Sequence, residues 1–183
     1  MDEQTYLPPE RPPRKPGQEP TARLTLDAYV RMRKELESLK SEGREKMAER
    51  LLHAREFGDI MENAEYDAAK HEQGLMEARI RSLEHMLKDP DIIEAAPGDE
   101  VGPGKLVTVR LTDGEAGVEE EEDETYLVAL SAEERAPGIR TVTSASPLGS
   151  ALLGRRVGDR VSYEAPGGRF TYQVVRCEPF KPS

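Results

Sequence analysis

Two carboxylates set three residues apart, Asp59 and Glu62, are the side chains in this sequence best suited to chemistry. They stand in the stretch Phe57-Gly58-Asp59-Ile60-Met61-Glu62-Asn63. Carboxylates offer hard oxygen ligands of the kind Mg²⁺ selects, but that ion takes about six oxygens in an octahedral array. Two carboxylates on a narrow turn hold it only weakly, so the pair becomes useful where another protein supplies the remaining ligands. The same D-x-x-E spacing is that of a capping box. Asp59 would then accept a backbone N–H of the helix that follows, and Glu62 would reach back to the cap residue's own N–H at the positive end of that helix. Each carboxylate has several lone pairs, so capping and ligation are compatible. Spacing leaves both roles open.

The remaining candidates are weaker. His53, His71 and His85 lack Cys, Asp or Glu partners at structural-zinc spacings and form no i, i+4 pair. Cys177 is a lone cysteine with no histidine beside it in sequence, which excludes an intramolecular disulfide and argues against nucleophilic catalysis. Pro166-Gly167-Gly168 reads as a turn between strands rather than a phosphate-cradling loop that opens a helix. The acidic run from Glu115 to Glu124 carries charge without preorganisation and reads as a solvated hairpin loop.

The Asp59–Glu62 stretch lies between two long segments of helical period. The first begins near Thr25, with Thr25 or Asp27 as cap, and places Tyr29, Met32, Leu36 and Leu39 on a three-four seam. Past Gly43 the spacing drifts to fours through Met47, Leu51 and Ala54, a stutter that unwinds a supercoil locally. Gly58 supplies the C-terminal stop. The second runs Tyr66, Ala69, Gln73, Met76, Ile80, Leu83 and Leu87 and ends at Asp89-Pro90. Two such helices joined by a few residues pair antiparallel, in a hairpin roughly 40–50 Å long at 1.5 Å per residue. A hairpin of that kind encloses no pocket. It serves as a probe with Asp59 and Glu62 at its tip.

Composition agrees with a solvated helical element beside a small domain. Aromatics are 5% of the 183 residues, Trp is absent, charged residues are 34% and the formal net charge is -10. An acidic surface of this kind repels phosphates, which argues against non-specific DNA or anionic-membrane binding as the main activity. It leaves room for nucleic-acid contact through a local basic strip or a protein partner. No apolar run approaches the length of a membrane span, and the start lacks a basic-then-apolar signal pattern.

Residues 1–23 form a Pro-rich segment, read as a disordered or polyproline-like tail, with a ligand for a proline-recognising module as the alternative. Residues 24–89 are the coiled-coil hairpin and 90–104 a Gly/Pro-rich linker. From 105 to 183 the period becomes two: strands are expected at Leu106–Leu111, Tyr126–Leu130, Thr141–Thr143, Val161–Tyr163 and Arg169–Val175. A short helix is expected over Leu148–Gly154. The fold class is α+β, a long antiparallel hairpin followed by a small, mostly antiparallel sheet domain.

Gly58-Asp59-Ile60-Met61-Glu62-Asn63-Ala64-Glu65-Tyr66, continued by Asp67-Ala68-Ala69-Lys70-His71-Glu72-Gln73-Gly74, resembles the tip and descending helix of the Gre transcript-cleavage factors, on the GreA side. Ser146-Pro147-Leu148-Gly149-Ser150-Ala151-Leu152-Leu153-Gly154, then Val157-Gly158-Asp159 and Ala165-Pro166-Gly167-Gly168, resembles that family's C-terminal domain. The resemblance spans about Thr25 to Lys181. It implies an FKBP-like C-terminal domain and a cytoplasmic partner, bacterial RNA polymerase. It implies that the coiled coil enters the polymerase's secondary channel while the C-terminal domain docks at its rim. There Asp59 and Glu62 would assist the polymerase active site by helping to hold a shared Mg²⁺, not bound stably by the factor alone, and the polymerase would hydrolyse the 3′ end of backtracked RNA. The factor itself would be no enzyme. Ser146, Pro147 and Leu148 match a segment that contacts the rim.

Some features depart from the family pattern or admit two readings. The Pro-rich start and the 115–124 acidic run lie outside it. Phe57 would pack on channel walls or RNA bases, or staple the helix ends. Lys40, Arg44, Lys46, Arg50 and Arg55 form either a basic strip that guides extruded RNA or a solvated helix face. An FKBP-like fold does not imply prolyl isomerase activity in so aromatic-poor a domain. Three functions follow in order of fit: a cleavage-stimulating factor, a channel binder that regulates polymerase without cleavage, and a helical adaptor unrelated to transcription. The intact Asp59-x-x-Glu62 favours the first.

Overall fold

Thr25 ends a three-residue strand, β1 (Arg23–Thr25), and its Oγ1 accepts the N–H of Ala28 at a long 3.4 Å. Helix α1 (Leu26–Ser38) therefore starts where a hydroxyl can satisfy an otherwise orphaned donor. The computed structural model describes residues 6–9, 13–56, 60–95, 98–114 and 123–180, with side chains described outside 56, 60–63, 113 and 114. The chain divides into two units, Met1–Ala22 with Val30–Pro90, and Arg23–Tyr29 with Asp91–Ser183.

In the helical unit, α1 passes into a π-helical turn, Leu39–Gly43, and then into α2 (Arg44–Glu56). The drift to fours in the sequence is accommodated here. A π turn holds an extra residue, so the apolar stripe is re-phased in one step rather than by gradual unwinding. Ser41 Oγ donates to the Glu37 carbonyl at 2.8 Å within that widened turn. Gly43 lets the facing helix approach: a Cβ there would stand 3.2 Å from Met76 Sδ. Helix α3 (Ile60–Lys88) runs back for 29 residues and stops before Asp89-Pro90. Near the open ends of the helices Met32, Leu36, Ile80, Leu83 and Leu87 are buried, as the three-four seam predicts. Toward the other end Met47, Leu51, Gln73 and Met76 are half-buried, and among the described residues there only the small Ala54 and Ala69 are buried.

The described part of the Pro-rich segment makes contacts with these helices. Tyr6 is buried, its phenol bonded to Glu37 and its ring 5.8 Å from Lys34 Nζ. Arg14 donates to Asp89 Oδ2 at 3.0 Å and to the carbonyls of Asp89 and Pro90 at 3.3 and 2.8 Å. Thr21 Oγ1 donates to Met86 O at 3.1 Å and accepts from Asp89 N at 3.0 Å, while Thr21 N donates to Asp89 O at 2.9 Å. The last carbonyls of α3 are thus capped by a distant segment, with a guanidinium at the negative end of the helix dipole.

In the other unit, β1 pairs in parallel with β2 (Asp91–Ile93). The region read as a linker is built into the unit. Val101 is buried in the sheet's core, and Gly104, at φ +79°, donates to Val128 O at 2.8 Å. The main sheet contains β3 (Lys105–Gly114), β4 (Asp123–Ala129), β5 (Arg140–Thr143), β6 (Arg160–Ala165) and β7 (Gly168–Pro179), in the order β5-β4-β3-β7-β6. All pairings are antiparallel except β4 with β5, which follow a connection containing the 3₁₀ turn Ala132–Glu134. Asp123 and Glu124, assigned in sequence to the acidic loop, belong to β4; residues 115–122 lie outside the described residues.

Alternate residues of these strands face one core of Val107, Val109, Val128, Val142, Val161, Tyr172 and Val174, closed by Leu148 and Leu152 of α4 (Pro147–Leu152). Two buried charged side chains are satisfied by backbone. Lys105 Nζ donates to the carbonyls of Gly98 and Glu100 at 2.9 and 2.6 Å. Glu134 accepts from Thr25 N and Leu130 N, both at 2.8 Å, and so ties β1 to the end of β4. Among the described residues no helix is long and apolar enough to cross a membrane.

Candidate functional site

Helices α2 and α3 are held together by contacts across the hairpin, and many of these are charged. Lys40 pairs with Glu84 at 2.5 Å, Arg44 is bidentate to Glu77 at 2.8 and 2.9 Å, and Arg50 pairs with Glu72. Glu35 and Arg79 form a further bidentate pair at 2.7 and 2.9 Å. Lys40 to Glu84 and Arg50 to Glu72 run in opposite chain directions, which establishes the antiparallel course. The hydrogen bond from Arg44 holds the Glu77 carboxyl below its ordinary range and raises Arg44 in turn.

Four of the five basic residues read as a strip therefore have partners on α3, and Lys46 pairs with Glu42 at 3.1 Å on its own side. Nearest the turn among the described residues, Arg55 Nη2 donates to Tyr66 Oη at 3.1 Å, with the guanidinium carbon 5.4 Å from the ring centroid. That bond lowers the Tyr66 pKa and raises that of Arg55. Sequence reasoning placed Tyr66 on the apolar seam and Arg55 on the strip and missed the contact between them. The available signal was their placement, four residues before Asp59 and four after Glu62.

Asp59 lies outside the described residues. Glu62 falls in the first turn of α3 by its backbone, and its side chain is likewise outside. Gly58 and Phe57 lie outside too.

At the second candidate site, Ser146 caps α4. Its Oγ accepts from Gly149 N at 3.1 Å and donates to Thr143 O at 2.7 Å. Pro147 occupies the first turn, where its missing N–H costs nothing, and is exposed. Leu148 is 8% exposed and faces the core. The surface this segment offers is thus Pro147 and Ser150, with Leu148 packing beneath them. Gly149 permits the close turn: a Cβ there would sit 2.0 Å from Thr143 O.

The other candidates stay apart. Among the described residues no group of three or more His, Cys, Asp or Glu could hold a metal ion. Cys177 lies on β7 opposite Val107, and burial pushes its thiol pKa up, away from the nucleophilic thiolate. On the sheet, Glu124 Oε2 accepts from Tyr126 Oη at 2.8 Å and pairs with Arg140. Burial, then that carboxylate, pushes the Tyr126 phenol up to about 12.

Comparison with known proteins covers both units. Residues 22–92 match the family model for the N-terminal part of GreA/GreB transcription elongation factors, and residues 96–179 match that for the GreA/GreB C-terminal part. The chain is 44% identical over 159 residues to transcription elongation factor GreA of Thermotoga neapolitana, covering 84% of this chain and 94% of that protein. It is 42% identical over 155 residues to GreA of Geobacillus kaustophilus, covering 83% and 93%. Among solved structures, GreA factor homolog 1 of Thermus thermophilus is 31% identical over 86% of this chain and 98% of its own, with a TM-score of 0.38. With both parts matched in order and relatives matched over nearly their whole length, this chain belongs to the GreA/GreB family and is a Gre-type transcription elongation factor.

Proposed function

We propose that this elongation factor binds bacterial RNA polymerase in the cytoplasm, inserts the turn of its hairpin into the secondary channel, and stimulates hydrolytic cleavage of the 3′ end of backtracked RNA. In this reading it is an activator of the polymerase's own chemistry, not an enzyme. The observation that carries it is the intact Asp59-Ile60-Met61-Glu62, which in sequence leads into α3 from α2, two helices paired across the hairpin.

The chemistry of the donor set fits Mg²⁺: both side chains are carboxylates, and hard oxygen is what this ion takes. Two ligands are too few for stable binding by the factor alone, so the polymerase active site would complete the set. When bound there, the metal stabilises charge on the reacting oxygens of the phosphodiester. The work left to this chain is positional. Asp59 and Glu62 present carboxylate oxygens, and the cross-helix pairs hold the two helices as one rod. Pro147 and Ser150 offer the exposed surface of the rim-contacting segment, with Ser146 fixing its turn and Leu148 anchoring it.

The test is RNA release from backtracked complexes reconstituted with polymerase and the full chain. Wild type should release short 3′ fragments. Asp59→Asn keeps a good N-cap, because Asn caps as well as Asp, but removes the charged ligand. We expect unchanged polymerase binding and cleavage slowed by at least the roughly 10–100-fold that loss of a mere outer-shell partner of a metal costs. Wild-type binding without fragment release would instead identify a channel-binding regulator, and Asp59→Asn cleaving at the wild-type rate would sink the role assigned to Asp59.

A further inference from the structure

Arg55 is exposed and Tyr66 half-buried, and the two meet across the hairpin through a hydrogen bond of 3.1 Å. Their place is set by the chain. Arg55 is in the last turn of α2, and Tyr66 is in the second turn of α3. Counted along the sequence, the pair flanks the D-x-x-E stretch evenly, four residues on each side. Farther from the turn, the rungs are carboxylate–cation pairs: Arg50 with Glu72 and Arg44 with Glu77. Among the described residues, the rung nearest to Asp59 and Glu62 in sequence is different in kind. A phenol oxygen takes the place of a carboxylate, and its ring lies within cation–π range of the guanidinium, at 5.4 Å.

The substitution has a physical consequence. A carboxylate at this rung would add further negative charge to a stretch that already carries Glu56, Asp59, Glu62, Glu65 and Asp67. Tyrosine accepts the same hydrogen bond without that charge. Its ring adds stiffness, since an aromatic side chain has only two rotatable bonds, whereas glutamate has three. Among the described residues, Ala54 and Ala69 are the buried ones near this end, and neither has a side chain long enough to lock the helices' rotation.

We propose that Arg55 and Tyr66 are positioning residues for the cleavage reaction: their clasp fixes the ends of α2 and α3 on either side of the Asp59–Glu62 turn, and so fixes where those carboxylates are presented. The inference rests on the cleavage-factor reading. It assigns Arg55 to the hairpin itself instead of to RNA.

Tyr66→Phe removes the acceptor oxygen and keeps the ring. Arg55→Ala removes the donor, and Arg55→Lys keeps one. In the reconstituted cleavage assay, Tyr66→Phe and Arg55→Ala should each lower the maximal rate about three- to tenfold, as expected for loss of one hydrogen bond with partial cation–π character. The factor concentration giving half-maximal rate should stay unchanged. Arg55→Lys should recover part of the loss, and the double variant should be no slower than Arg55→Ala alone. If Tyr66→Phe cleaves as wild type while Arg55→Ala does not, Arg55 acts without Tyr66 and the proposal is wrong.

A second measurement does not depend on cleavage. With Cys177→Ser as background, spin labels on Leu52 and Lys70, both exposed, report the distance between α2 and α3 in the free protein. Tyr66→Phe should broaden that distance distribution, and an unchanged distribution would overturn the clasp. Failure of wild type to cleave, together with this broadening in Tyr66→Phe, would sink the cleavage reading and leave the clasp standing as a structural feature.

Discussion

In the sheet unit Val107, Val109, Val128 and Leu152 expose essentially no surface, whereas along α2 Ala54 alone is buried among the described residues. The first is a core in the ordinary sense, where apolar area removed from water supplies the stability. The second is a pair of helices with polar and charged contacts on both flanks of a shallow seam. Exposed ion pairs contribute little net stability, because each must order two long side chains and remains screened by solvent. What they do supply is register: a bidentate Arg44–Glu77 pair is satisfied in one alignment of the helices and lost in its neighbours. The sheet unit is held by its buried core, and the described part of α2 stays largely solvated.

The sharpest way to break this contrast is to delete the same side chain in both places. Leu152→Ala, in a site 0% exposed, should destabilise the sheet unit by about 2–5 kcal/mol. Leu52→Ala on α2, at 60% exposure, should stay within about 0.5 kcal/mol of wild type. Hydrogen exchange resolved by segment, alongside urea unfolding, assigns each effect to its unit. Equal losses would mean that α2 buries a core the contrast denies it.

A smaller effect is expected where the Pro-rich segment caps α3. Arg14→Ala removes donors to Asp89 Oδ2 and to the carbonyls of Asp89 and Pro90. The cost should be about 0.5–1.5 kcal/mol, read as several-fold faster exchange of the amides at the C-terminal end of α3. Exchange unchanged from wild type would show that Thr21 suffices as the cap. This segment lies outside the matched family region, so the reinforcement belongs to this chain rather than to the matched part of the family.

The sequence announced elements better than it announced contacts. Three-four spacing located both helices, because burying one stripe requires it, and period-two alternation located the five strands of the main sheet, because a one-faced core requires that. The drift past Gly43 marked the place where regular helix gives way, and a π turn over Leu39–Gly43 absorbs the extra residue there. β2 was hidden in Asp91-Ile92-Ile93, too short to show a period, and its partner β1 lies far away in sequence. The Pro-rich segment misled for a related reason. Proline frequency reports the lack of regular secondary structure, not of tertiary anchors, and Arg14 and Thr21 bind α3 without needing a helix or strand of their own. The D-x-x-E stretch was legible as residue types at a spacing. The Arg55–Tyr66 clasp was not, since no local pattern says which charged residue on one helix finds which partner on another.

The finest discrimination between the two regions is by acid. Glu77 and Asp123 are both held below the ordinary carboxyl range, chiefly by hydrogen bonds from Arg44 and Arg110 respectively. One pair crosses the hairpin, and the other, at 2.8 and 3.2 Å, crosses from β3 to β4. Unfolded carboxyls titrate near about 3.9–4.3. Because the folded values are lower, the unfolded chain takes up protons first. Each pair therefore contributes its stability above about pH 4, and loses it as pH falls through the folded value below that range. Carboxyl-resolved NMR titration should find both groups below their ordinary values. The structural consequence should differ. Protonating Glu77 releases the bidentate Arg44 pair that sets register between α2 and α3, so α2 amides should lose protection first. Protonating Asp123 removes a surface pair from strands that Val107, Val109 and Val128 still hold together, so the sheet's core amides should keep theirs. Simultaneous loss in both units would show that α2 and the sheet draw on a common source of stability, and that the rungs align nothing that burial had not already fixed.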